Sequence, residues 1–134
     1  MNDRGKLALK KSSQAFGRLQ EAVAEPPSAL QPDAVLQRFE FTFELLWKAL
    51  RIYLAEMEGI EVSSPKGTLK AAFREGLIKS EEEQVFLKML EDRHTSTHVY
   101  DQQEAGEIYA RIRDGYMLPI KALISRLDRG EEGR

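Results

Sequence analysis

One stretch limits the fold of this chain more than any other. Between residues 33 and 58, Phe39, Phe43, Leu46, Trp47, Leu50, Tyr53, Leu54 and Met57 recur at helical spacing and form one apolar stripe. Phe41, Leu45 and Ile52 form a second stripe on another side of the same segment. A helix of a small bundle normally needs only one buried face. A helix apolar on two sides is either deeply central or meets another subunit along its second face. Two-fold association is the commonest oligomeric solution, so the second stripe predicts a homodimer with Phe41, Leu45 and Ile52 in its interface.

The flanking segments fit around this helix. Residues 4–24 carry Leu7, Phe16, Leu19 and Val23 among Lys6, Lys10, Lys11 and Arg18, an amphipathic pattern with a basic solvated face. Pro26, Pro27 and Pro32 end that helix and stiffen the connection. Gly59 stands where a C-terminal cap is expected, and Ser63-Ser64-Pro65 reads as the cap and first turn of a short helix over about 65–75. Gly76 stops it. Ser80 and Glu83 have capping-box spacing and open a helix ending at Arg93. Residues 102–128 carry Ile108, Tyr109, Ile112, Tyr116, Ile120, Leu123, Ile124 and Leu127, with a kink expected at Pro119. No segment shows sustained period-two alternation. The expectation is an all-α, up-down four-helix bundle with an additional short helix, one domain over 1–128, and a frayed tail over 129–134.

Composition narrows the function classes. With 134 residues the chain suits one domain with a real core. A net charge of −2 gives no global electrostatic footprint for nucleic acid, leaving room only for a local patch. The absence of cysteine removes disulfides and thiolate zinc sites. No apolar run is long enough to span a membrane and no signal-peptide pattern opens the chain, so the expected location is cytoplasmic. Glycine-rich nucleotide loops and the spaced aspartates of a nucleotidyltransferase are absent as well.

Chemistry is concentrated in Arg93-His-Thr-Ser-Thr-His98-Val-Tyr100. Arginine supplies a permanently charged fork suited to phosphate, and histidine exchanges a proton near neutral pH. Together they suffice to bind a phosphodiester and move a proton at it. Phe86, Met89, Leu90 and Arg93 share a helix face, so Arg93 continues an apolar stripe. On an unbroken helix Arg93 and His98 stand about 140° apart. Thr95, Ser96 and Thr97 favour caps and turns, and Asp101 with Glu104 resembles a capping box. The motif is therefore placed at a corner between two helices, where the two side chains can converge. The ordinary alternative is an exposed helix end, where any protein favours a cation. His94 and His98 at i, i+4 lack an evident third ligand, so no metal is expected.

Arg93-x4-His98-x-Tyr100 resembles the signature of HEPN domains of the HepT type, close to the nucleotidyltransferase substrate-binding proteins. Arg38-Phe-Glu-Phe-Thr-Phe-Glu-Leu-Leu-Trp47-Lys48 looks like the aromatic-rich second helix of that family. Gly76-Leu-Ile, Met89-Leu-Glu-Asp-Arg93 and Thr97-His-Val-Tyr-Asp101 follow in the expected order, so the resemblance covers about residues 10–127. His94 stands where close relatives usually have Asn, and Phe86 where a Trp is usual. The resemblance implies a dimerising helical bundle paired with a minimal nucleotidyltransferase encoded nearby. It also implies a metal-independent ribonuclease site, without a cofactor, built from Arg93 and His98 and acting on tRNA or mRNA. His94 and Thr97 support that site, and the antitoxin silences the toxin by adenylylating Tyr100. A different class stays open beside this one: a non-catalytic subunit that presents a substrate or nucleotide to the partner enzyme. A structural dimer carrying a vestigial motif is the third possibility.

Overall fold

A computed structural model describes residues 1–96 and 101–132, and among them every regular element is helical. Helix α1 spans Asp3–Ala24, α2 Gln31–Glu58, α3 Pro65–Arg74, and α4 Glu83–Ser96 after a 3₁₀ turn at Ser80–Glu82. Helix α5 spans Gln102–Arg111 and passes through a π-turn, Ile112–Tyr116, into α6, Met117–Glu132. The all-α bundle with one added short helix is as expected.

Helix α2 is the axis of the bundle. Phe39, Leu50 and Leu54 are wholly buried, and Phe43, Leu46 and Tyr53 nearly so. Around them close Leu19 of α1, Met89 of α4, Ile108 of α5, and Ile120 and Leu123 of α6. At about 25 cal/mol per Å² of apolar surface removed from water, this contiguous cluster is the main source of stability. The buried stripe of α1 is Leu9, Ser12, Phe16 and Leu19, and Leu7 is half exposed. Nine residues separate Leu7 from Phe16, which places them on opposite sides of a helix of 100° per residue, so Leu7 belongs to the outer face.

The helix termini follow local chemistry. Ser64 accepts from the Gly67 backbone N–H at 3.0 Å, with Pro65 at the first helical position of α3. Gly59 and Gly76 adopt left-handed backbone (φ 68° and 79°), which ends α2 and α3 at no steric cost to glycine. Pro32 lies inside the first turn of α2 rather than in the linker, a position where its missing N–H has no helical partner to lose. The box before α4 is displaced by one residue from the expected Ser80–Glu83. Glu82 reaches back to the Lys79 backbone N–H at 2.9 Å because a 3₁₀ turn precedes the α-helix. The same carboxylate is gripped by Arg126 of α6 at 2.6 and 3.1 Å.

Three differences concern the second half. Helix α4 runs past Arg93 to Ser96, one turn being favourable enough to carry Thr95 and Ser96. Helix α6 continues to Glu132, beyond residue 128, and Gly130 packs so closely on the Tyr53 hydroxyl that a Cβ there would collide with it. Near Pro119 the irregularity is the π-turn just upstream. Ile108, Ile112, Tyr116 and Ile120 are all buried at successive spacings of four, and each step of four drifts about 40° on an α-helix. A wider turn in the middle cancels that drift and keeps all four facing the core.

Candidate functional site

Arg93 lies in the last full turn of α4 and reaches across to α2, where its Nη1 donates to Glu44 Oε2 at 2.8 Å. The pair is only partly enclosed, with side chains 27% and 35% exposed. Glu44 is itself held on α2 by neighbours one turn along. The Trp47 indole Nε1 donates to Oε2 at 3.2 Å, and Lys48 pairs with Oε1 at 3.2 Å. Partial burial works to raise the Glu44 pKa. The Trp47 and Lys48 hydrogen bonds and the Arg93 charge outweigh it and hold the carboxyl below its ordinary value. The outcome is a fixed carboxylate that aims a guanidinium along the surface of α2.

Arg93 and Glu44 border a shallow depression of about 390 Å³ whose other walls are Gln37, Glu40 and Phe41. Phe41 is 61% exposed, an unusual state for a phenylalanine in a bundle with ample core. Leu45 and Ile52 are half-buried one and three turns further along α2. They line a groove against α1 together with Leu7, bordered by Arg4, Lys11, Lys48 and Arg51 and, among the described residues, by no carboxylate. The second apolar stripe thus starts beside Arg93 and ends in a cation-lined groove, a local positive patch on a chain of net charge −2.

Next to Arg93 in the chain and about 100° around α4 from it, Asp92 is 2% exposed. Arg111 grips it with two bonds, Nε to Oδ2 at 2.7 Å and Nη2 to Oδ1 at 2.8 Å, and the Tyr116 hydroxyl donates to Oδ2. Burial first, and then the bond to Asp92, push the Tyr116 phenol above its ordinary range, so it stays protonated as a donor.

His94 is in the same turn as Arg93 with its side chain exposed. Asp101 is extended (φ −99°, ψ 121°) and caps α5 by accepting from the Gln103 backbone N–H at 2.9 Å, as its place in the sequence suggests. Thr97, His98 and Tyr100 lie outside the described residues. Among the described residues no group of three or more His, Cys, Asp or Glu is arranged to hold a metal, and no helix is long and apolar enough to cross a membrane.

Sequence reasoning missed Glu44, Asp92, Arg111 and Tyr116 as site-forming residues. Glu44 and Lys48 read as a common i, i+4 surface pair. Asp92 carries a fainter signal, since a carboxylate three residues after buried Met89 requires a buried partner. Which arginine supplies it is not written locally.

Comparison with known proteins adds an independent line. Residues 7–129 match the family described as nucleotidyltransferase substrate binding protein like. The chain is 28% identical to a protein of Haemophilus influenzae named "Probable ribonuclease HepT", over 91% of this chain and 92% of that one. It is also similar to a Thermus thermophilus protein of known crystal structure, with a TM-score of 0.82 and 40% identity, covering 87% of this chain and 98% of the other.

Proposed function

The chain belongs to the HepT-like HEPN family, in the group described as nucleotidyltransferase substrate binding protein like, and from that membership we propose that it is a metal-independent endoribonuclease toxin. The observation that carries the reading is Arg93. It is a guanidinium held by a buttressed carboxylate at the edge of an open depression, five residues before His98. A lone surface cation at a helix end needs no such support.

In the proposed reaction Arg93 holds the scissile phosphate and stabilises the charge that develops on it. His98 removes the proton from the 2′-hydroxyl, or delivers one to the leaving 5′-oxygen. Attack of the 2′-oxygen on phosphorus breaks the P–O5′ bond and leaves a cyclic phosphate and a 5′-hydroxyl. Glu44 holds one edge of the guanidinium and so sets the direction from which the fork meets the substrate. The cations around the α1–α2 groove supply the polyanion attraction that the net charge does not. His94, in the same turn as Arg93, and Thr97 assist.

A second copy of the chain pairs along Phe41, Leu45 and Ile52, with the groove cations at its polar rim. Such a dimer flanks each Arg93 depression with the partner protomer. The cognate antitoxin is a minimal nucleotidyltransferase that transfers AMP from ATP to the Tyr100 hydroxyl with release of pyrophosphate, placing negative charge and bulk where the RNA phosphate must sit. A second reading draws support from the family description itself and from the slightly acidic balance: a non-catalytic subunit that presents a substrate or nucleotide to that enzyme.

One experiment separates the two. The chain is expressed alone beside Arg93→Ala and His98→Ala variants, and growth and RNA integrity are followed. Toxicity and RNA loss that vanish in both variants support the nuclease, and cleavage that persists with EDTA supports metal independence. A harmless unmutated chain supports the binding subunit.

A further inference from the structure

We propose that Asp92, Arg111 and Tyr116 are positioning residues that fix the direction in which α4 presents Arg93, and that the π-turn at Ile112–Tyr116 is what closes this cluster. The inference rests on reading Arg93 as the phosphate-binding residue.

Arg111 and Tyr116 are five residues apart. On a regular α-helix that spacing turns them about 140° away from each other, so one carboxylate cannot receive both. They stand at the two ends of the π-turn, whose i→i+5 geometry brings residues five apart nearly into line. Both donors consequently reach Asp92, which receives three bonds from partners 19 and 24 residues away. Asp92 is adjacent to Arg93 in the chain, and successive side chains point about 100° apart around a helix. With Asp92 locked toward the π-turn, Arg93 is directed toward α2, where Glu44 receives it. The turn of α4 that would otherwise be first to fray is held from both sides.

The strength of the hold suits positioning. Asp92 is almost completely buried, the arginine fork is bidentate, and the Tyr116 ring is stacked on Phe39 at 5.5 Å independently of its hydroxyl. Tyr116→Phe therefore removes one hydrogen bond and leaves the ring packing in place. Arg111→Lys keeps the charge and loses the fork.

The test uses the full chain and a short fluorescent RNA oligonucleotide. For Tyr116→Phe and Arg111→Lys, kcat falls about tenfold with KM within about twofold, the pattern of a misplaced rather than a missing group. The side-chain Nε–H resonance of Arg93, read by NMR in the free protein, shifts or broadens in both. Glu82→Gln, at the other end of α4, serves as the control: it lowers Tm and leaves kcat and the Arg93 resonance unchanged. If Tyr116→Phe and Arg111→Lys instead lower Tm alone, as the control does, the cluster is only structural and the proposal fails. Should the unmutated chain cleave no RNA, the catalytic reading of Arg93 falls separately. The resonance then decides positioning on its own: an unmoved signal overturns it and a displaced one sustains it.

Discussion

The two ends of α4 are tied to the bundle by the same chemistry and finished differently. At the start, Arg126 and Glu82 close on each other with side chains 19% and 13% exposed, and the Leu77 carbonyl and Lys79 N–H complete the set. The strong donors and acceptors of that cluster are turned inward. At the far end the buried half is equally complete, with Asp92 enclosed by Arg111 and Tyr116. One residue later Arg93 faces an open depression with the fixed Glu44 carboxylate beside it. At the first end both members of the ion pair are turned inward, whereas at the second the support is hidden and the cation stays accessible.

That contrast can be broken in order of expected effect. Asp92→Ala removes the acceptor of the buried Tyr116 hydroxyl and of the partly exposed Arg111 fork and should cost about 3 kcal/mol of stability, read by urea denaturation. Arg93→Ala should leave the fold intact by circular dichroism and lower RNA cleavage by at least about 100-fold. Arg126→Ala strips Glu82 of its charged partner and should cost about 2 kcal/mol without altering cleavage. Acid should erode both ends. The Glu44 and Glu82 carboxyls are held below their ordinary 4.5, so the folded chain binds fewer protons than the unfolded one. Their contribution is complete above about that pH and is lost as pH falls through the lower folded values. Glu82→Gln should flatten this acid limb in a stability–pH series. Smallest of all, Phe41→Ser should change protomer stability by no more than about 0.5 kcal/mol, given its exposure, while shifting light scattering toward monomer.

The bundle was largely readable from periodicity and caps. Phe39 through Leu54 were named as one buried stripe and are one, and Ser64, Gly59, Gly76 and Asp101 end or begin helices as their chemistry dictates. The exposed placement of Leu7 followed from its nine-residue offset to Phe16, although composition drew it into the stripe. Even the π-turn had a trace in the sequence, in the three consecutive steps of four from Ile108 to Ile120. Arg93 and His98 were visible because their spacing is local. Glu44, 49 residues from Arg93, and Arg111, 19 from Asp92, were not. Such pairs are fixed by how the helices pack, and a sequence of alternating charges offers each carboxylate several equivalent partners.

The only tryptophan of the chain donates its indole N–H to the very carboxylate oxygen that Arg93 also uses. Whatever draws the guanidinium away from Glu44 must alter the electric field along that ring. Intrinsic emission near the indole's usual wavelength therefore serves as a built-in optical gauge of whether the cleft is occupied, with no dye, tag or engineered label required.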